Sequence, residues 1–391
     1  MSPIKNVIAT APHYIFIVSA SALMLTPTSS IADSGIFQAN LERTGVYNDM
    51  GPENSPELVW KFDTNSPVLS TPLINEESVY VSDFEGGVYA LDKKLGEVKW
   101  NHEMGGRASF QISLSTDSLL VGRHPFREDD ESYLLAMDIE SGEELWRYWD
   151  NDLSALDSPT VYRESIFLTS MHDYLYALEL ENGREKWKFP IQGGTRQPLL
   201  SSNILYFQDN TQAIYALSPD SGDLLWSYIP ESSIENSFST PAIDNCCIYA
   251  MMLAEESGSI IILDKYTGEL RTEFPIQFRS NSSISLLDGI AFFGDDGEGH
   301  ENAHGYMNAM DIESGELIWR FETGGFVRGA ASISGNTVYF GSGDHHLYAV
   351  DRYTGELKWR YETGGPVTST PAIVDGRIYF GSIDGHVYVL E

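Results

Sequence analysis

An eleven-residue pattern recurs along the 391-residue chain, and it restricts the fold more than any other feature. Ala349-Val-Asp-Arg-Tyr-Thr-Gly-Glu-Leu-Lys-Trp359 returns at 90–100, 136–146, 177–187, 216–226 and 309–319, with a degenerate copy at 262–272. The place of Asp351 is held by Asp92, Asp138, Glu179, Ser218, Asp264, Asp311 and Glu391, at successive spacings of 46, 41, 39, 46, 47, 40 and 40 residues. β-Rich units of this length are the mark of propeller blades. One unit carries four strand patterns. Thr370-Pro-Ala-Ile373 is a short run of small residues suited to a crowded axis, 377–381 and 386–390 alternate as strands, and 357–361 makes a fourth. Asp375-Gly376, Asp384-Gly385 and Thr354-Gly355 supply tight turns. Breaks of this kind recur too often for an amphipathic helix to fit between them.

The last unit stops at Glu391, after its third strand, whereas Leu58-Val-Trp-Lys-Phe62 has the fourth-strand pattern with no unit before it. The sequence therefore predicts an all-β, eight-bladed propeller of four-stranded blades, with an N-terminal strand closing the last blade and removing the open sheet edge. Residues 1–32 read as a signal peptide, 33–56 as a lead-in and 57–391 as the propeller. Trp60, Trp100, Trp146, Trp187, Trp226, Trp319 and Trp359 occupy one repeat position. That regularity predicts packing: a flat ring wedged between blades, its N–H on a backbone acceptor. Thr272 stands there in the degenerate copy, which predicts a weaker junction between blades 5 and 6.

Charge and address exclude several classes. With 57 acidic against 24 basic residues and a formal charge of −33, the chain repels phosphate backbones, so nucleic acid is not an expected partner. The first 32 residues carry one charge, Lys5, then an apolar run at 14–25 and small residues at Ser30 and Ala32 before Asp33. This is the pattern of a secretory signal, too short in its apolar core to span a bilayer. No cysteine stands directly after the cleavage site, where Asp33 is found, and no later stretch is apolar enough for a transmembrane helix. A periplasmic or secreted monomer without a lipid anchor is expected.

In a propeller, the loops joining second to third strands share a face with those joining one blade to the next. Five blades place ten residues between the end of the second strand and the Asp351 position, but blades 2, 5 and 6 place 16, 14 and 17. Extra loop length on a rigid scaffold is how binding sites arise; tolerated drift is the alternative. The blade 6 loop holds Asp295, Asp296, Glu298, His300 and His304, donors suited to calcium or a transition metal, although their spacing also fits a solvated polar loop. Arg107, Arg196, Arg279 and Arg328 stand near the starts of first strands. They form either a positive mouth for an anionic ligand or acidic peptide or the balance to nearby carboxylates. Cys246 and Cys247 align with Gly376 and Arg377, in the turn between first and second strands, as free thiols or a vicinal disulfide.

The motif Ala-x-Asp-x-x-Thr-Gly-Glu-x-x-Trp resembles the tryptophan-docking repeat of PQQ-like (quinoprotein-type) β-propellers, over about 57–391. Phe37-Gln-Ala-Asn40, Arg43-Thr-Gly-Val-Tyr47 and Gly51-Pro52 look like the lead-in of exported members of that group. The resemblance implies two branches: PQQ-dependent dehydrogenases, and propeller-only proteins such as BamB-type outer-membrane assembly factors. A quinone oxidation needs a carboxylate base, a divalent cation and an aromatic floor. Inner strands here offer only Asp157, Gln197, Gln111, Asn281, Phe110 and Phe238, and the adjacent cysteines of those enzymes lie before the first strand, at the other end of the blade. No catalytic residue and no cofactor is therefore expected, PQQ and calcium belonging to the dehydrogenase alternative. The reading is a non-enzymatic exported scaffold for a protein or peptide partner, with a BamB-like assembly factor as the nearer alternative.

Overall fold

The computed structural model describes residues 37–109, 111–124, 131–150, 159–170, 174–195, 197–231, 239–254, 257–277, 279–297 and 304–391. The signal segment lies outside these. All regular structure among the described residues is β, and none of it is a helix long and apolar enough to cross a membrane.

The strands form eight separate antiparallel sheets. Blade 1 runs Leu73–Ile74, Ser78–Ser82, Gly87–Asp92 and Val98–Glu103, and blades 2 to 7 follow in chain order over 107–148, 160–190, 199–228, 242–276, 285–323 and 332–362. Blade 8 takes Ala372–Val374, Arg377–Gly381 and His386–Leu390 from the C-terminal end, and Leu58–Asp63 as its fourth strand. Blade 2 departs from four strands: the short Arg107–Ala108 and Ser113–Leu114 both pair with Ser118–His124. First strands of neighbouring blades touch one another and so converge on the axis. Second and third strands are almost wholly buried, and fourth strands alternate between exposed and covered positions, as an outermost strand should.

The eleven-residue motif is explained by one local arrangement. Asp351 Oδ1 accepts the backbone N–H groups of Tyr353 and Thr354, and Gly355 closes the turn at φ +71°. Trp319 of the preceding blade lies on that glycine, where a Cβ would come within 2.8 Å of the indole. Its N–H donates to Arg352 O at 2.8 Å. The same contact joins Trp60 to Gly96, Trp100 to Gly142, Trp146 to Gly183, Trp187 to Gly222 and Trp226 to Gly268, with indole N–H bonds of 2.9–3.2 Å to the next blade's turn. Trp359 instead donates to Pro52 O, 2.8 Å away in the lead-in.

The junction between blades 5 and 6 differs from the expectation of a simple deficit. Thr272 does pair with Ile262 in the tryptophan register, yet the docking glycine is covered by Phe274, whose ring edge lies 2.1 Å from where a Gly315 Cβ would be. At five other junctions the aromatic two places after the tryptophan packs on rings of the next blade, as Phe321 does on Phe340 and Tyr348. In blade 6 the residue in the place of Tyr348 is Asn308. Loss of the tryptophan on one side and of the tyrosine on the other goes with the shift of Phe274 onto the glycine.

Each fourth strand carries a β-bulge at the residue before the tryptophan position. Around the ring that residue alternates between basic (Lys99, Lys186, Arg271, Lys358) and apolar (Leu145, Leu225, Ile318, Val59). The basic ones turn back onto their own blade, Lys358 to Thr337 Oγ1 and Arg271 to Asp264, for example.

The lead-in is part of the core. Residues 37–52 pass the ends of successive first strands. The N–H groups of Leu200, Ile243, Leu286 and Ile333, in blades 4 to 7, donate to the carbonyls of Leu41, Glu42, Thr44 and Gly45 at 2.8–3.1 Å, and Asp375 N–H of blade 8 donates to Asp49 Oδ2 at 2.9 Å. Gly45, at φ +73°, has room for no side chain between Ser285 and Ala331. Gln38, Ala39 and Arg43 are at most 1% exposed. The segment thus covers the end of the axis that carries the turns between first and second strands.

Candidate functional site

The two ends of the axis are chemically unlike. On the covered end, Arg43 Nη1 donates to Phe37 O at 2.6 Å and Nη2 to Thr160 Oγ1 at 3.0 Å, reaching blade 3. Burial, only partly offset by Glu42, pulls its pKa down to about 9. A cation held this way ties the lead-in to the blades by hydrogen bonds rather than by an ion pair.

The open end bears the loops that the sequence singled out. Three of the four arginines are described, and Arg196 lies outside the described residues. Arg107 lays its guanidinium over the Phe84 ring at 4.5 Å. Arg328 lies over Phe326 at 4.3 Å and its Nε donates to Asp296 Oδ1 at 3.0 Å. Arg279 is half-buried; its carbonyl accepts the Asp296 N–H at 3.4 Å, and its Nε is buried without a hydrogen-bond partner among the described residues. Asn281 Nδ2 reaches Asp296 Oδ2 at 3.3 Å. Two of the arginines, Arg279 and Arg328, and the acidic loop, separate readings of the sequence, therefore meet in one cluster across blades 6 and 7. Its centre is an Arg328–Asp296 pair.

The metal set does not come together among its described members. Asp295 is 1% exposed and faces inward: its carboxylate accepts Asn308 Nδ2 and Gly297 N–H, both at 2.9 Å, with Arg320 at 3.8 Å. Burial raises its pKa despite these bonds. Asp296 is taken by Arg328, and His304 Nδ1 lies 3.1 Å from Glu322. Glu298 and His300 lie outside the described residues. The three described side chains thus turn to three different partners, Asn308 and Glu322 on strands of the same blade and Arg328 in the connection to blade 7. The sequence signal that reasoning missed was Asn308: an amide at a place that is tyrosine in blades 7 and 8 marks a polar network inside blade 6, completed by Arg320 Nε on Asn308 Oδ1 at 2.7 Å.

Cys246 and Cys247 are joined in a vicinal disulfide in the first hairpin of blade 5. This is the face that the lead-in occupies, since Ile243, three residues earlier, bonds to Glu42. The described residues of the open end do not fit a quinone site: the Asp296 carboxylate is committed to Arg328, Phe84 and Phe326 are stacked under arginines, and the disulfide lies at the opposite face. Phe110, Asp157 and Phe238 are outside the described residues.

Comparison with known proteins places this architecture. The outer membrane protein assembly factor BamB of Escherichia coli K12 is 26% identical over 106 residues, which are 27% of this chain and 25% of that protein. The chain thus matches about a quarter of the length of this curated relative. The crystal structure of BamB from Moraxella catarrhalis superposes with a TM-score of 0.69 at 16% identity, covering 86% of this chain and 98% of that one. The quinohemoprotein alcohol dehydrogenase of Comamonas testosteroni gives 0.73 at 17% identity over 91% of this chain and 80% of its own. At such identities the likeness is one of fold. Residues 53–148, 130–291 and 303–391 match the family described as outer membrane protein assembly factor BamB, and the chain belongs to that family.

Proposed function

We propose that this chain is a non-enzymatic scaffold of the cell envelope that holds a protein or peptide partner on its inter-blade loop face, as a BamB-like assembly factor would. The observation that carries the proposal is the asymmetry of the axis: the lead-in covers one end. The other presents the longest second-to-third-strand loop, and Arg328, Asp296, Arg279 and Asn281 cluster beside it. Partly exposed charged and amide groups on a rigid frame suit a polar protein interface. The acidic shell suits solubility in a periplasmic setting.

The test is recovery of partners from a solubilised envelope fraction on immobilised protein, comparing the wild type with Asp296→Arg/Arg328→Asp. A partner held by the wild type and lost by the variant supports the loop face, whereas one bound equally by both refutes it. Adding PQQ and calcium and measuring dye reduction with alcohols or sugars probes the dehydrogenase alternative; turnover would displace the scaffold reading.

A further inference from the structure

Blade 5 carries a second chemical feature, unrelated to the loop face. Its first hairpin has two adjacent cysteines where blades 7 and 8 have Asn336-Thr337 and Gly376-Arg377. Asp244 is fixed against them: Oδ1 accepts the N–H groups of both Cys246 and Cys247 at 2.8 Å, and Oδ2 accepts the Tyr249 hydroxyl at 2.9 Å. One carboxylate oxygen of Asp244 and both sulfurs lie within 4.8 Å of one another, the only such trio of metal-donor side chains among the described residues. Lys265, 3% exposed, donates its ammonium to Asp244 O at 3.1 Å and its backbone N–H to Cys246 O at 3.1 Å. Cys247 is buried, and Cys246 is half-exposed, which leaves the pair reachable from solvent.

We propose that this hairpin is a redox-gated site for a thiophilic divalent cation such as zinc or cadmium. In the oxidised form the sulfurs are bonded to each other and the site is closed. A dithiol reductant opens it: the Cys246–Cys247 bond breaks, two electrons pass from the dithiol, which becomes a cyclic disulfide, and its two protons end on the protein sulfurs. Metal binding then displaces those protons, giving two Sγ ligands and one Asp244 oxygen, with a fourth position left for solvent. Zinc–sulfur bonds of about 2.3 Å require the two sulfurs to lie within about 4.6 Å of each other, and side chains rooted on Cα atoms 3.7 Å apart can be brought to that span once the bond is cut. Charge also balances: two thiolates and a carboxylate against a divalent ion and the Lys265 ammonium sum to zero. That removes the main cost of holding a dithiolate beside a buried strand.

The experiment uses the full chain, reduced with dithiothreitol, freed of it by anaerobic gel filtration and titrated with Cd²⁺ while thiolate-to-cadmium charge-transfer absorption is followed. The expected result is one Cd²⁺ per reduced chain and none per oxidised chain. Cys246→Ser should lose the band, and Asp244→Asn should bind about tenfold or more weakly. Far-UV circular dichroism and thiol counting accompany each sample. If Asp244→Asn fails to fold, the Cys246→Ser chain and the oxidised wild type still decide. Equal uptake by oxidised and reduced protein, a band that survives Cys246→Ser, or folded reduced protein that takes no Cd²⁺ would each overturn the proposal.

Discussion

The junction between blades 6 and 7 and the one between blades 5 and 6 address the same packing problem with different residues. At the first, Trp319 is 8% exposed, rests on Gly355 and donates to Arg352 O. At the second, Thr272 holds the tryptophan register and Phe274 covers Gly315 from two places along the strand. Phe274 is half-buried and has no N–H to bond to the next blade. The comparison separates two parts of the docking motif. Wherever a docking glycine is present a ring covers it, and the indole hydrogen bond is an addition that the junction of blades 5 and 6 does without; at the junction of blades 7 and 8 Trp359 keeps the bond, to Pro52 O, with no such glycine beneath it.

Three measurements would break or sharpen that contrast. Trp319→Ala removes both the ring and its hydrogen bond from a buried site and should cost about 3–5 kcal/mol in urea unfolding, against about 2 kcal/mol for Phe274→Ala at its half-buried site. Equal losses would mean that the indole bond adds nothing. Smaller effects are expected at the glycines, which sit at φ +71° and +73°. Gly355→Ala should cost about 2 kcal/mol because Trp319 is buried and hydrogen-bonded, and Gly315→Ala about 1 kcal/mol because the half-buried Phe274 has no hydrogen bond to hold it against the new Cβ. The reverse order would show that Phe274 is the more rigid ring.

The smallest effects are in pH dependence, and the two blades should differ in sign. Arg271 and the backbone N–H groups of the turn hold Asp264 at about 2, below its ordinary 3.8. Its folded-state pKa is depressed, so its contribution is complete above about pH 4 and is lost as pH falls through 2. Asp264→Asn should abolish that acid-side slope. Asp295 is shifted upward by burial: the folded chain binds its proton more tightly, so its contribution falls as pH rises above the ordinary carboxylate value. Asp295→Asn should remove that decline. Unfolding midpoints between pH 2 and 6 would reveal both, and slopes of the same sign would contradict the burial of Asp295.

The fold was legible because its determinants are local and repeated. An Asp cap, a positive-φ glycine and a tryptophan recur in register, so spacing alone yields the blade count. Leu58–Phe62, a fourth strand without a blade, announces the closure. What escaped was contact between segments distant in sequence. That Arg328 would pair with Asp296 depends on how two adjacent blades place their loops, which neither segment encodes alone. Thr272 marked an irregular junction, but the shift of Phe274 required knowing that Asn308 had replaced a tyrosine across the interface. The lead-in was recognisable by its resemblance, yet nothing in the periodicity of 37–52 shows that it crosses the axis.

That crossing has a consequence for the order in which the molecule is completed. Residues 37–52 are made early, but their partners are spread over blades 3 to 8, and Leu58–Asp63 must wait for His386–Leu390. In a chain that emerges N-terminus first, the earliest of these segments is the last to find its place. Contacts of such sequence separation make ring closure slow, and until then the open strand edge of blade 8 and the apolar side chains of the lead-in stay in reach of proteases and of other chains. The interval between finishing blade 8 and seating the lead-in is when a chaperone would matter most.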